Sequence, residues 1–260
     1  MNSPFSDLVE QLAAKGLNHI GALSVEAYDE LVRPEQRSAL VAPYAETVLV
    51  VASGGKSLWR SMLADFRAHP QHLSGEPHPL DAFIRRSVAQ AGTAIGECQH
   101  RWIFADEESE LHLDFRTLAV GAGLGAPSRL GLAIDSRWGP WMGLRAVCFL
   151  ASRVVPTPLV DSPCDGCDAP CVQACVGDAF VDRQWDVQRC ADVHVETTLC
   201  ADSCAARMAC PVGADEQYTA LQRRYHYNRV SGRILLAAHL GETRDLHEGS
   251  GPVWGGWGDG

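Results

Sequence analysis

The sequence predicts an α+β protein: an α/β layered N-terminal domain followed by a small cysteine-rich unit. Three observations carry this. Short, branched apolar runs alternate with apolar stripes of helical period through residues 1–156. Pro156, Pro158 and Pro163 then interrupt the pattern. Eight of the ten cysteines fall between Cys164 and Cys210. The boundaries drawn on this basis are 1–156 for the layered domain, 157–228 for the cysteine unit, and 229–260 for a C-terminal extension. Seven glycines among the last twenty residues give that extension a tail-like composition.

The elements follow in order. Residues 6–15 form a capped helix, with Leu8, Val9 and Leu12 on one face and Gly16 past its end. His19–Leu23 is a short strand. Glu46–Ala52, built on Val48-Leu49-Val50-Val51, is a strand apolar on both faces and therefore central. Lys56–Ala68 is helical through Leu58, Met62, Leu63 and Phe66. Residues 69–78 are loop, and Pro79–Gly96 is a longer helix. Arg101–Phe104 is a strand, and Leu113–Val120 a helix ending in the 121–125 glycine turn. Leu130–Ile134 and Leu144–Leu150 are strands. Inside the cysteine unit, Ala179-Phe180-Val181 and Trp185 suit a small hairpin. A helix runs from Asp215 to Tyr227.

The chain of 260 residues carries a net charge of −10. Phosphate contacts need a Lys/Arg surface, so nucleic acid is an unexpected partner. No apolar run reaches membrane-spanning length, and the N-terminus lacks a basic region followed by an apolar stretch. A reducing cytoplasm is the expected location, where clustered cysteines hold metal rather than pair as disulfides.

The cysteines read Cys164-x2-Cys167-x3-Cys171-x3-Cys175, then Cys190, then Cys200-x3-Cys204-x5-Cys210-Pro211. Eight thiolates in two groups, with proline after the last, approach the bacterial two-cluster ferredoxin pattern. There the fourth cysteine of each group ligates the other cluster. Applied here, one [4Fe–4S] cluster takes Cys164, Cys167, Cys171 and Cys210. The other takes Cys175, Cys190, Cys200 and Cys204. The match departs from the pattern in a three-residue second gap and in Val176 where proline is usual. Zinc is the competing reading, since Cys190-x3-His194 with nearby cysteines has zinc-ligand spacing. Cys98 and Cys148 stand apart, and Cys148 belongs to an apolar strand as a buried thiol.

Other signals are weaker. Ser53-Gly54-Gly55-Lys56-Ser57 resembles the end of a phosphate-binding loop, but Val50 occupies the position of its first glycine. His69, His72 and His78 share one polar loop. The Trp138–Trp141 pair around Gly139-Pro140 either lines a cofactor pocket or packs in the core; the residues leave both open.

Ala119–Gly125, Leu130–Ile134 and the Arg137-Trp-Gly-Pro-Trp-Met-Gly-Leu-Arg-Ala-Val147 stretch, taken with the cysteine order, are similar to the epoxyqueuosine reductase family. Reductive dehalogenases share the plan. The resemblance runs through residues 1–213. It implies a nitroreductase-like α/β domain holding cobalamin, with two [4Fe–4S] clusters supplying electrons. Gly123, Gly125, Trp138 and Trp141 would then be cofactor-binding residues, with flavin the other ring such a cleft accepts. The family's catalytic aspartate counts onto Ser109, with Glu108, Glu110 and Asp114 as neighbouring carboxylates. The lysine the family has after the turn is replaced by Ala126-Pro127-Ser128-Arg129. The expected function is an iron–sulfur oxidoreductase fed by a flavodoxin, ferredoxin or reductase and acting on a small molecule. The alternatives are a ferredoxin-like electron carrier without catalysis and a zinc-stapled interaction protein.

Overall fold

The computed structural model describes residues 4–74, 76–106, 111–182 and 184–241. Glu108, Ser109, Glu110 and the glycine-rich tail from residue 242 lie outside them.

The architecture is α+β, centred on one antiparallel sheet. β1 (His19–Ser24), β2 (Thr47–Gly54) and β3 (His100–Phe104) join a later strand. That strand follows two short ones, β4 (Ala126–Pro127) and β5 (Ala133–Ile134), and is β6 (Met142–Leu150). The sheet order is β1-β2-β6-β3. β2 pairs with β6 from Thr47↔Leu150 to Gly54↔Met142, with a shift between Val51 and Ala52. All eight residues of β2 are buried, because helices cover both faces of the sheet.

Alternation along each strand divides the core into two layers. Leu49, Val51, Ala146, Cys148 and Leu150 face helices Pro4–Ala14, Ser57–Ala68 and Pro79–Gly92. Val48, Val50, Ala52, Val147 and Phe149 face Tyr28, Leu118 and Leu124. Each fully buried branched or aromatic side chain of this kind contributes about 1.5–3 kcal/mol. The apolar run read as central is therefore central, and it is apolar on both faces because two helical layers enclose it.

Some expected elements differ. Of the strand at 130–134, only Ala133–Ile134 pairs, with Ala126–Pro127. Ser128–Gly131 forms a turn closed by Gly131 N–H to Ser128 O (3.1 Å), with Gly131 in the left-handed region. The Trp185 ring lies against Gly131 where a Cβ would project. The helix at Asp215–Tyr227 is interrupted: a 3-10 turn at Ala214–Glu216 precedes helix Ala220–Tyr227, which Thr219 caps by accepting from Gln222 N–H. Helix Val25–Leu31 escaped the sequence reading; Ser24 caps it by accepting from Ala27 N–H at 3.2 Å. Residues 229–239 form a helix whose Leu236 joins the first core layer.

Candidate metal centres

The path of the cysteine segment is fixed before any cysteine is reached. Thr157 N–H donates to Ala22 O (3.0 Å), and Ala22 N–H donates to Thr157 Oγ1 (2.9 Å), which ties the chain to β1. Gly166 and Ala169 then adopt positive φ, and helix Pro170–Gln173 carries Cys171 into the interior. The expected hairpin forms between β7 (Phe180–Val181) and β8 (Gln184–Trp185). Helix Val187–Glu196, capped by Asp186, presents Cys190. Cys204 itself caps helix Ala205–Met208. Strained left-handed positions at Ala169, Asp178 and Asp182 all lie in this one segment.

The eight thiols fall into two sets. Cys164, Cys167, Cys171 and Cys210 line one small pocket together with Leu130 and Ile134. Cys175, Cys190 and Cys204 line an apolar cavity of about 180 Å³. Cys200 lies within electrostatic reach of all three. Burial pushes Cys171 up first, and Cys164 and Cys167 add to it. Burial likewise raises Cys210, with Cys171, Cys164 and Cys167 as the contributing thiols. Cys190 and Cys200 are raised by burial and then by thiols of the second set alone. Fourth-in-line Cys175 thus sits with the later cysteines, and Cys210 with the earlier ones.

Backbone N–H groups already point at sulfur. Ala169 donates to Cys167 Sγ (3.4 Å), Ala179 to Cys175 Sγ (3.3 Å) and Arg207 to Cys204 Sγ (3.4 Å). All ten cysteines are free thiols. Cys148 is fully buried on β6, and burial pushes its thiol far up. Among the described residues, no three thiols come within 4.8 Å of one another; the group that does is Asp65, His69 and His72 at the end of helix Ser57–Ala68, where Arg86 also binds Asp65. His194 stacks on Tyr227, with ring centroids 6.3 Å apart.

The cysteine unit docks on the sheet domain through contacts the sequence reading did not anticipate. Gly139 and Gly213 meet back to back: a Cβ on Gly139 would lie 1.9 Å from Val212 O, and one on Gly213 would lie 2.4 Å from Trp138 C. The Arg207 guanidinium donates to Pro140 O, from Nε at 2.9 Å, and lies over Trp141 (4.8 Å) and Tyr218 (5.1 Å). Lys56 Nζ donates to Asp215 O at 2.9 Å, which is the use found for the phosphate-loop look-alike. None of these has a sequence motif; only the glycines carried a signal.

The four residues named for cofactor binding are packed against protein. Trp138 and Trp141 are 6% and 1% exposed. Trp138 covers Gly54, and Trp141 meets Tyr218 edge-on at 5.3 Å. Gly123 abuts Pro158 O, and Gly125 abuts the Ile134 backbone. Asp114 caps helix Phe115–Gly121, accepting from Arg116 N–H, Thr117 N–H and Thr117 Oγ1–H. Burial pushes its carboxyl up, but the Thr117 hydrogen bonds and Arg116 outweigh this and hold it below the ordinary range. That suits a cap and disfavours a proton donor.

Beneath the docking surface, His226 packs among Trp59, Tyr218 and Tyr225, and its buried Nε2 lacks a hydrogen-bond partner. Burial, then Arg145, Arg207 and Arg229, lower its pKa well below the ordinary value. The unfolded chain therefore takes up a proton near pH 6.5 that the folded chain refuses. Stability should fall as pH drops below about 6.5, with a slope approaching 1.4 kcal/mol per pH unit for this one group. Urea midpoints from pH 8 to 5 test this: His226→Gln should flatten the profile, and an unchanged slope would refute the assignment.

A sheet domain with two helical layers, carrying a cysteine-rich unit on one edge, is the class the fold defines. No protein-family model matches the chain, and no curated protein matches it. Solved structures do share its fold. The C. elegans B12-trafficking protein CblC aligns with a TM-score of 0.60 at 12% identity, covering 92% of this chain and 97% of that one. An epoxyqueuosine reductase with an epoxyqueuosine-modified tRNA stem loop aligns at 0.53 and 15% identity, covering 85% and 68%. The reductive dehalogenase NpRdhA, in complex with 3-bromo-4-hydroxybenzoic acid, aligns at 0.52 and 17% identity, covering 89% of this chain and 34% of the dehalogenase. The epoxyqueuosine reductase and the reductive dehalogenase are from the groups the sequence resemblance named; CblC was not among them. Among the described residues, no helix is long and apolar enough to cross a membrane.

Proposed function

We propose that the chain is an iron–sulfur redox protein. In this reading Cys164, Cys167, Cys171 and Cys210 hold one [4Fe–4S] cluster, and Cys175, Cys190, Cys200 and Cys204 hold a second. The observation that carries it is the division of eight thiols into two sets of four. The fit is specific in two respects. Tetrahedral zinc with Zn–S near 2.3 Å brings its sulfurs to roughly 3.8 Å from one another, whereas these thiols are spread more widely around their voids. Backbone N–H groups directed at sulfur also suit cluster ligation, where such bonds tune the potential. Bound clusters supply one-electron transfer to a cofactor or substrate on the sheet domain. The protein supplies burial, N–H donors and a rigid docking surface.

Cobalamin is the cofactor this reading favours, because B12 appears in the name of one fold neighbour and reductase in that of another; flavin is the competing ring. Since Gly123, Gly125, Trp138 and Trp141 are packed against protein, we assign them to shaping the sheet domain beside the cysteine unit, with residues 1–156 as the cofactor domain and 157–228 as a ferredoxin-like unit. The packing of both tryptophans favours a second reading, a carrier that docks a redox partner without a ring of its own. Anaerobic protein should contain about eight irons and eight sulfides per chain. Reduced protein should then bind a corrinoid at micromolar concentration. Iron without corrinoid or flavin binding selects the carrier, and stoichiometric zinc without iron overturns both. A flavodoxin or ferredoxin is the expected electron donor. The net charge of −10 opposes a polyanionic substrate, yet one fold neighbour is seen with a tRNA stem loop, so the binding assay includes an RNA hairpin.

A further inference from the structure

The wall of the larger cysteine cavity contains a permanent positive charge. Arg207 lines it together with Cys175, Cys190 and Cys204. Its own N–H donates to Cys204 Sγ at 3.4 Å. Its guanidinium is held away from solvent by Trp141 and Tyr218 and fixed by Pro140 O. No carboxylate forms an ion pair with it among the described residues. A charge placed in such surroundings is costly unless an opposite charge answers it. The thiol set is the group in this cavity able to supply one.

We propose that Arg207 is a positioning residue that sets the reduction potential of the second thiolate centre while clamping the cysteine unit to the Pro140–Trp141 edge of the sheet domain. This rests on the reading of the second set as a [4Fe–4S] ligand sphere. One-electron reduction adds one negative charge to that centre. A fixed cation in a wall of low polarity stabilises the reduced form more than the oxidised one, so it raises the potential. The first set has a guanidinium of its own in its lining, Arg129, whose buried Nε lacks a hydrogen-bond partner, so the effect of Arg207 is read on the second centre alone.

The test is an anaerobic dithionite titration with redox mediators, followed by electron paramagnetic resonance, on the full chain. The second centre is the signal that disappears in Cys200→Ser. Arg207→Met should lower the potential of that signal alone by a factor of about ten in the reduction equilibrium, 59 mV for a one-electron couple. Arg207→Lys keeps the charge and should shift it less than threefold. Both potentials unchanged in Arg207→Met at normal iron content overturn the proposal, as does a lysine variant that shifts as far as the methionine one. If Arg207→Met fails to retain the second centre, Arg207→Gln, which keeps a donor for Pro140 O, should show the same tenfold shift. Loss of the centre from both, with lysine retaining it, would assign Arg207 to assembly and overturn its role in the potential. Iron content of the unaltered chain is read first: its absence removes the cluster reading and this proposal together, whereas normal iron with unshifted potentials removes the proposal alone.

Discussion

Cys171→Ser combined with Cys210→Ser should cost about four irons per chain, no more than either substitution alone. Cys171→Ser combined with Cys175→Ser should cost about eight. The contrast is large because it depends on which thiols share a centre and not on how well any one is held. Cys171 and Cys175 are four residues apart, and a simple in-line reading would place both on one centre. In the fold, helix Pro170–Gln173 turns Cys171 toward Cys164, Cys167 and Cys210. Cys175 emerges past that helix, next to Cys190, Cys200 and Cys204. Double substitutions within one set should therefore be non-additive, and those across sets additive. Iron and sulfide analysis after anaerobic reconstitution reads the result directly. Four irons lost from the Cys171/Cys175 pair would mean in-line grouping and a different path for Cys210. Serine at Cys148, fully buried on β6, should leave the iron content unchanged.

The placement of Cys175 beside Cys190 and Cys204, and of Cys210 beside Cys164, Cys167 and Cys171, follows the order expected from the ferredoxin-like pattern of the cysteines. The central strand was legible because five consecutive apolar residues buried on both faces leave no alternative once helices flank them. The 130–134 strand was misread because its apolar content serves a different purpose. Leu130 roofs the first thiol void, and Gly131 makes room for Trp185. Helix Val25–Leu31 was missed because it begins directly at the end of β1, with Ser24 serving both as last strand residue and as cap. Arg207 could not have been singled out. Its significance lies in contacts with Pro140, Trp141 and Tyr218, which are remote or unpatterned in the sequence. The tryptophan pair was left open between cofactor and core. Its near-complete burial gives it a packing role.

Gly213→Ala should deplete iron from the first set, whereas Gly96→Ala should leave the iron content unchanged. The two glycines differ in backbone and in what an added methyl would meet. Both have positive φ, +67° at Gly213 and +56° at Gly96. Gly213, with ψ 27°, is in the left-handed region, where an L-residue pays about 1–2 kcal/mol; Gly96, with ψ −128°, is in a region kept almost wholly to glycine. At Gly96 the added methyl meets nothing within 4 Å, so its cost is local to the backbone and leaves the cysteine unit in place. At Gly213 the methyl would lie 2.4 Å from Trp138 C and O and 2.7 Å from Gly139 N, all backbone atoms. A side chain could rotate aside, but a backbone cannot, so residues 211–213 must lift from the sheet domain. Cys210 precedes that segment directly and completes the first set. Lifting it opens the set before it unfolds the sheet, whose core layers lie elsewhere. The expected record is a chain with native far-ultraviolet circular dichroism and about four irons in place of eight, where Gly96→Ala keeps all eight. Full iron content in Gly213→Ala would show that the glycine-to-glycine contact does not hold the cysteine unit in place.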